Sequence, residues 1–327
     1  MNGYLIVAMI GFLAISTSTE CGAQSSSPGK LKTFTIVIHG GAGTISPSMP
    51  ESVKAAYYQS LYDALSLGKV MLAKGEHGID VVERVLNYFE NDPKFNAGIG
   101  AVFTSDGEHE MDASIMNGRD LSSGAVAGVK HITHPISLAR LVMEKTAHVL
   151  LAGEGAEKFA ADMGMTLVPT TYFDTPERYN QWQEYKKKLE EGKKGTVGCV
   201  VLDQFGDLAA GTSTGGMTNK MPGRIGDSPL INAGTYANNK TCAVSCTGWG
   251  EKFITNTVAF NISALMEYKK LSLHEAVNEM IYKRLGNNDG GLIAVDRDGN
   301  FAMEFNTLGM FRGVANSSGT FEVKIWK

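Results

Sequence analysis

The sequence predicts an α+β fold in which mainly antiparallel sheets are covered by helices. Three observations predict it. Strand-like apolar runs and helical periodicities occur in mixed blocks, without the regular strand–helix alternation of a doubly wound parallel sheet. Short polar turns at 203–206 and 296–299 each join two strand-like arms, which makes those arms antiparallel. The chain has 327 residues, 43% hydrophobic and 20% charged, a size for one large domain or two small ones with a full core. Glycine is abundant, at 38 residues, and clusters at strand ends, where backbones approach closely. A net charge of −4 gives no footprint for nucleic acid.

The first element is an apolar run at 4–15, of signal-peptide length and too short to span a membrane. Cys21-Gly22-Ala23 offers a cleavage site before Gln24, so 1–23 is expected to be a leader and the protein secreted or periplasmic. The run lacks a Lys or Arg before it. Glu20 stands where a lipoprotein needs a small residue, which argues against a lipid on Cys21, and no membrane anchor is expected. Cys242 and Cys246 lie four apart in one strand, roughly 13 Å at 3.3 Å per residue, too far to bridge. With Cys199 they read as small buried residues.

After a Ser/Pro/Gly-rich linker, residues 34–38 read as a buried strand ending in His39-Gly-Gly-Ala-Gly43. Helices are predicted at 51–74 and 79–91, a glycine-punctuated turn at 95–100, and strands at 110–116 and 124–129. Pro135 opens a helix through Lys145. A strand at 149–151 and a helix at 154–163 follow. Residues 177–194 are strongly polar and read as a helix fraying into an exposed tether, where proteolysis concentrates. A hairpin follows, with arms 197–202 and 208–212. Pairing across its turn gives partners summing to about 409, which sets Thr196 opposite Ser213 and beside Thr214. A strand is predicted at 241–247, and helices at 252–271 and 272–285, the second opened by a Ser272/Glu275 capping box. Strands at 290–295, 300–305, 311–314 and 320–325 complete the sheets.

Several motifs compete for the chemistry. Gly211-Thr-Ser213-Thr-Gly215 matches a nucleophile elbow, and His39-Gly-Gly-Ala resembles an esterase oxyanion motif, so a Ser213 α/β-hydrolase is a rival. That fold needs a helix straight after the serine, then an acid and a histidine. Here glycines and a proline follow, and the downstream histidine is His274, in a predicted helix. His131 and His134 have metal-like spacing, but Pro135 breaks the helix and no acid or thiol completes a set. Glu108, Glu110 and Asp112 read as a solvated strand face. Gly40–Gly43 lacks the Lys-Ser/Thr of a phosphate loop. Arg224 and Asp227 lie in an irregular loop, Pro-Gly-Arg-Ile-Gly-Asp-Ser-Pro, which cannot hide a charge pair in a helix. An arginine fork takes a carboxylate and an aspartate an ammonium, together suiting an amino-acid zwitterion. An exposed salt bridge is the alternative.

The motifs, taken together, resemble the plant-type asparaginase/isoaspartyl peptidase family of N-terminal-nucleophile hydrolases. The resemblance runs through His39–Gly43, Phe95-Asn-Ala-Gly-Ile-Gly-Ala-Val-Phe-Thr104, Gly195-Thr-Val-Gly198, Thr212–Pro229 and Ser245-Cys-Thr-Gly-Trp-Gly-Glu251. It implies a four-layer αββα sandwich made as a precursor that cuts itself between Gly195 and Thr196, giving an α-chain, 24–195, and a β-chain, 196–327. Two αβ pairs would form a dimer. Thr196 would be the nucleophile, with its new amine as base; an α-amine titrates near roughly 7.7–8.0. Thr214 would bond the Thr196 hydroxyl. Arg224 would hold the substrate α-carboxylate, and Asp227 and the Gly250 carbonyl its amine. The Thr247 hydroxyl and Gly248 N–H would form the oxyanion hole, supported by Asn96. No catalytic cofactor is implied. A structural sodium ion would sit on backbone carbonyls of Phe89, Glu90, Asp92, Phe95, Ala97 and Ile99. The substrate would be asparagine or an isoaspartyl dipeptide. Glycosylasparaginase is the rival within the family, and an inactive binding relative the rival outside enzymology. Trp249 is bulkier than usual at its place and is expected to shape the leaving-group side.

Overall fold

Period-two alternation along the strands builds two packed sheets, and helices cover both outer faces. The computed structural model describes residues 33–188 and 195–327, with Met1 and Gly3. The leader, Cys21 and the cleavage before Gln24 lie outside the described residues, as does the tether at 189–194. In chain order the first half holds β1 (Thr35–Gly43), α1 (Glu51–Ala73), α2 (Gly78–Glu90), β2 (Met111–Asn117) and β3 (Ser123–Val129). It continues with α3 (Pro135–Lys145), β4 (Leu150–Ala152), α4 (Gly153–Asp162) and α5 (Pro176–Lys188). The second half holds β5 (Val197–Leu202), β6 (Leu208–Thr214), β7 (Thr235–Ala237), β8 (Cys242–Gly248), α6 (Gly250–Thr255) and α7 (Val258–Lys269). Then come α8 (Leu273–Asn278), β9 (Gly290–Asp296), β10 (Phe301–Phe305), β11 (Gly309–Asn316) and β12 (Phe321–Lys324).

The larger sheet has the order β12-β11-β1-β5-β6-β2-β3-β4, and the smaller β10-β9-β8-β7. All pairings are antiparallel except β3 with β4. One core joins the larger sheet to α1, α2 and α3 through Leu65, Val82, Leu86, Ile136, Val197, Cys199 and Val201. The other fills the space between the sheets and under α7 and α8, with Val200, Leu202, Ala210, Val244, Leu292, Ile262 and Val277. The fold is thus the expected αββα sandwich. Among the described residues no helix is long and apolar enough to cross a membrane.

Four expectations are corrected. The hairpin pairs Val197 with Ser213 and Gly198 with Thr212, a sum of 410. Asp203 causes the one-residue difference: its carboxylate takes the Phe205 and Asp207 amides at 2.8 and 3.0 Å, so the loop runs through Asp207. The helix predicted at 252–271 breaks at Thr257, which adopts φ 47°, and the one at 272–285 finishes as a π-helical segment, Glu279–Arg284. Ser272 and Glu275 do form the capping box. Glu110 and Asp112 are buried rather than solvated, because the 217–228 loop closes over their end of β2.

Candidate active site

The one-residue shift in register decides the chemistry of the hairpin. Side chains alternate faces along a strand, so a slip of one flips each to the other face. Val200 and Leu202 face the smaller sheet, and Thr196, Gly198, Thr212 and Thr214 share that face by parity. Ser213 points the opposite way and donates to Glu90 at 2.6 Å. Thr196 donates from Oγ1 to Thr214 Oγ1 at 3.2 Å, both buried between the sheets.

The carbonyl before Thr196 is held as tightly as the hydroxyl. The Gly195 oxygen accepts from Asn96 Nδ2 at 2.7 Å and from Thr214 Oγ1 at 2.9 Å. Asn96 is fixed by donating to the Gly216 carbonyl at 2.6 Å and accepting the Val102 amide at 3.0 Å. Asn96, expected to support the oxyanion hole, holds the Gly195 carbonyl in the continuous chain. Behind Thr196 lies a chain of polar contacts that sequence reasoning missed. His39 lies fully buried, with Nδ1 2.9 Å from the Thr196 carbonyl oxygen and Nε2 3.0 Å from Ser245 Oγ. Nδ1–H donates to that carbonyl, and Nε2 accepts from the serine. Burial pushes the imidazole down to about 3, so it stays neutral. Ser245 meets Thr212 Oγ1 at 2.7 Å, Thr235 donates to Thr212 at 2.6 Å, and Ser114 donates to the Ser228 carbonyl at 2.5 Å. The run ties the Thr196 backbone to the loop that carries Asp227.

Arg224 and Asp227 reach the same cavity. It is lined by Gly195, Thr196, Thr214, Arg224, Asp227 and Gly250, among others, and its volume is about 10 Å³. A single water needs roughly 10–15 Å³, so the uncut site has no room for a substrate. Asp227 is 4% exposed, and its Oδ2 has no hydrogen-bond partner. Burial pushes its carboxyl up to about 7. Arg224 does not pair with it. The guanidinium is gripped by Glu251, Nε to Oε1 at 3.0 Å and Nη2 to Oε2 at 2.9 Å. Beneath them Lys220 Nζ donates to the Glu110 carbonyl at 2.7 Å, and Glu110 Oε2 takes the Gly223 amide at 2.8 Å. Asp112 is buried beside them, with one oxygen on the Gly128 amide at 2.8 Å. Burial raises the Asp112 carboxyl and lowers the Lys220 ammonium.

The end of β8 forms another wall. Thr247 is buried and its Oγ1 accepts the Ala42 amide at 3.2 Å, leaving the hydroxyl proton to point elsewhere. Gly248 has φ 147°, and a Cβ there would lie 2.2 Å from the Asp289 carbonyl oxygen, so only glycine fits. A Cβ at Gly250 would lie 2.9 Å from Arg224 Nη2 and 3.0 Å from Asp227 Oδ1. Trp249 is half-buried and does not line the cavity; Lys252 Nζ lies 5.1 Å from its ring centroid.

The asparaginase profile matches residues 32–325 of this chain. The chain belongs to the asparaginase family. Relatives span nearly the full length. The isoaspartyl peptidase of Salmonella typhimurium is 49% identical over 89% of this chain and 98% of its own. The isoaspartyl peptidase of Escherichia coli is 48% identical over 89% of this chain and 96% of its own. The probable isoaspartyl peptidase/L-asparaginase 2 of Arabidopsis thaliana is 44% identical over 90% and 99%.

Within this asparaginase-family chain the other candidates fall away. Ser213 lies inside β6, bonded to Glu90, so it is no elbow nucleophile. His131 Nδ1 contacts the Val168 carbonyl and His134 Nε2 contacts Asn91, at 2.8 and 3.1 Å, as ordinary histidines do. Cys199, Cys242 and Cys246 are free and buried. A larger cavity, about 440 Å³, is lined by residues including His77, Arg119, Arg140, Asp203 and Asp207. Its acids are structural: Asp203 takes the Gly78 amide and Asp207 the Asn239 side chain, both at 2.8 Å.

The expected sodium loop can be tested on its own geometry. A Cβ at Gly98 would lie 2.2 Å from the Glu90 carbonyl oxygen, and one at Gly100 would lie 1.9 Å from that of Phe95. Glycine at these two positions lets the loop pack directly against those two carbonyl oxygens. The Phe89, Asp92 and Ala97 carbonyls each accept one amide at 3.1 Å and retain a second lone pair. Neutral oxygen donors of this kind suit a hard monovalent cation. Arg178 of α5 braces the loop from outside through the Gly100 and Lys94 carbonyls, at 2.6 and 3.0 Å.

Proposed function

We propose that this protein is an autoprocessing amidohydrolase that releases L-aspartate from β-aspartyl peptides and L-asparagine through an acyl-Thr196 intermediate. One observation carries the reading: the Gly195 carbonyl is gripped by Asn96 and Thr214, beside the hydroxyl of the next residue. In self-cleavage Thr196 Oγ1 bonds to the Gly195 carbonyl carbon, and the bond from that carbon to the Thr196 nitrogen breaks. The hydroxyl proton ends on the new amine, and water hydrolyses the ester. Charge grows on the Gly195 oxygen, where preorganised donors are worth about 2.7–4 kcal/mol each. Asn96 and Thr214 are those donors.

Cleavage empties the place of Gly195 and leaves a free amine on Thr196. That amine is the general base for attack on a side-chain amide. Arg224 takes the α-carboxylate of the substrate, and Asp227, with the Gly250 carbonyl, takes the α-ammonium. Thr247 and the Gly248 N–H receive the developing oxyanion. Ammonia or a peptide amine leaves, and water releases aspartate. The Phe89–Ile99 carbonyls would hold a structural sodium ion that steadies Asn96, and two αβ pairs would associate. Export rests on the leader alone.

That relatives at 48–49% identity bear the name isoaspartyl peptidase supports β-aspartyl peptides, rather than glycosylated asparagine, as the substrate class proposed for this chain. A matched panel tests this: the purified protein is given a β-aspartyl dipeptide, asparagine and N-glycosylated asparagine. Aspartate release from the first two, abolished in Thr196→Ala, is the expected result. Release from the glycosylated substrate alone, or full activity in Thr196→Ala, would overturn the reading.

A further inference from the structure

We infer that Glu251 is a positioning residue that turns Arg224 so that its free edge meets the substrate α-carboxylate. This rests on the substrate reading given above. A guanidinium offers two bidentate edges, Nε with Nη2 and Nη1 with Nη2. Glu251 occupies the first, with both oxygens engaged at 3.0 and 2.9 Å. The second edge points inward. A Cβ at Gly226 would lie 2.9 Å from Nη1, one at Gly216 3.4 Å from Nη1, and one at Gly250 2.9 Å from Nη2. Gly216, Gly226 and Gly250 line the cavity with Thr196 and Thr214. Small residues there leave the guanidinium edge uncovered on that side.

The burial pattern agrees with a clamp from outside. The Arg224 side chain is 16% exposed and that of Glu251 is 47% exposed. Arg224 sits on a loop between Gly223 and Gly226, which cannot fix a long side chain by backbone alone. Asp227 and Asp112 both act on Arg224 electrostatically and would draw it inward. Glu251 opposes that pull. It follows Gly250 directly in the first turn of α6, so the cavity wall and the clamp share one element. A reactant held by a preorganised fork loses less freedom on binding.

The test is a double-mutant cycle on the self-cleaved protein with asparagine. Variants are E251Q, R224Q and the pair. E251Q is expected to raise KM about tenfold with a much smaller change in kcat, since a hydrogen bond to a charged group is weakened. The pair should match R224Q alone, because the positioning effect of Glu251 on the substrate runs through Arg224. Self-cleavage of E251Q should proceed at the wild-type rate. If E251Q does not accumulate, E251D carries the same comparison, the charge being kept on a shorter arm. An unchanged KM in E251Q, or additive effects in the pair, would overturn the inference while R224Q still raises KM. An unchanged KM in R224Q would overturn the carboxylate reading of the site and this inference with it.

Discussion

A buried carboxylate with an unpartnered oxygen is costly unless a ligand meets it. Asp227 is such a group, and the ammonium of the proposed substrate would supply its counter-charge once the place of Gly195 is vacated. Its folded value, about 7, lies above the unfolded one. The stability this group contributes to the empty protein is therefore complete below the unfolded value and is lost as pH rises through about 7. Ligand binding runs the other way, since only ionised Asp227 pairs with an ammonium. The Kd of L-aspartate, measured by calorimetry on the self-cleaved protein, should rise about tenfold per pH unit below 7, and Asp227→Asn should flatten that dependence. A Kd constant from pH 8 to 5 in the wild type would remove Asp227 from the amine site. Arg224 and Asp227 were legible in the sequence because a glycine-hinged loop leaves charges few places to go. Glu251, Lys220 and Asp112 were not. Their partners lie on other elements, and nothing local distinguishes a buried acid on β2 from a solvated one.

At the scale of elements, the β5–β6 hairpin sets the neighbours of Thr196. Its existence was readable from two apolar arms about a polar turn. Its register was not, because the Asp203 side chain extends the loop by one residue. The helix break at Thr257 was likewise hidden, since a threonine at φ 47° gives no signal in sequence. Gly198 shows how closely the hairpin is fitted. A Cβ there would lie 2.1 Å from Ser245 Oγ and 2.2 Å from His39 Nε2. Gly198→Ala must push β5 away from β8 or break the histidine's contacts. A displacement near 1 Å can cost about 100-fold in rate, so self-cleavage should slow by that order while the protein still folds. A time course of precursor loss reads this directly, and a wild-type rate would show that His39 does not set the Thr196 backbone.

The whole molecule weaves its two halves together. In the larger sheet β1 lies between β11 and β5, and β6 pairs with β2, so strands from before and after Thr196 are interleaved. Both cores likewise draw on both halves. A cut at Gly195–Thr196 would therefore leave two chains in one folded body, parted only by denaturation. Antiparallel sheets covered by helices were legible from the turns and mixed blocks; the four-layer αββα arrangement came with the resemblance that the motifs carry, to the family the chain belongs to. The order of strands was not, because long-range pairing leaves little local trace. The central claim is that Thr196 is exposed by the protein's own chemistry. Intact-mass spectrometry of purified wild type and Thr196→Ala, under native and denaturing conditions, tests it most directly. The wild type should show one native assembly that denatures into two fragments, the smaller beginning at Thr196, and the variant should remain whole. A fully active wild type that stays a single uncut chain would contradict the account.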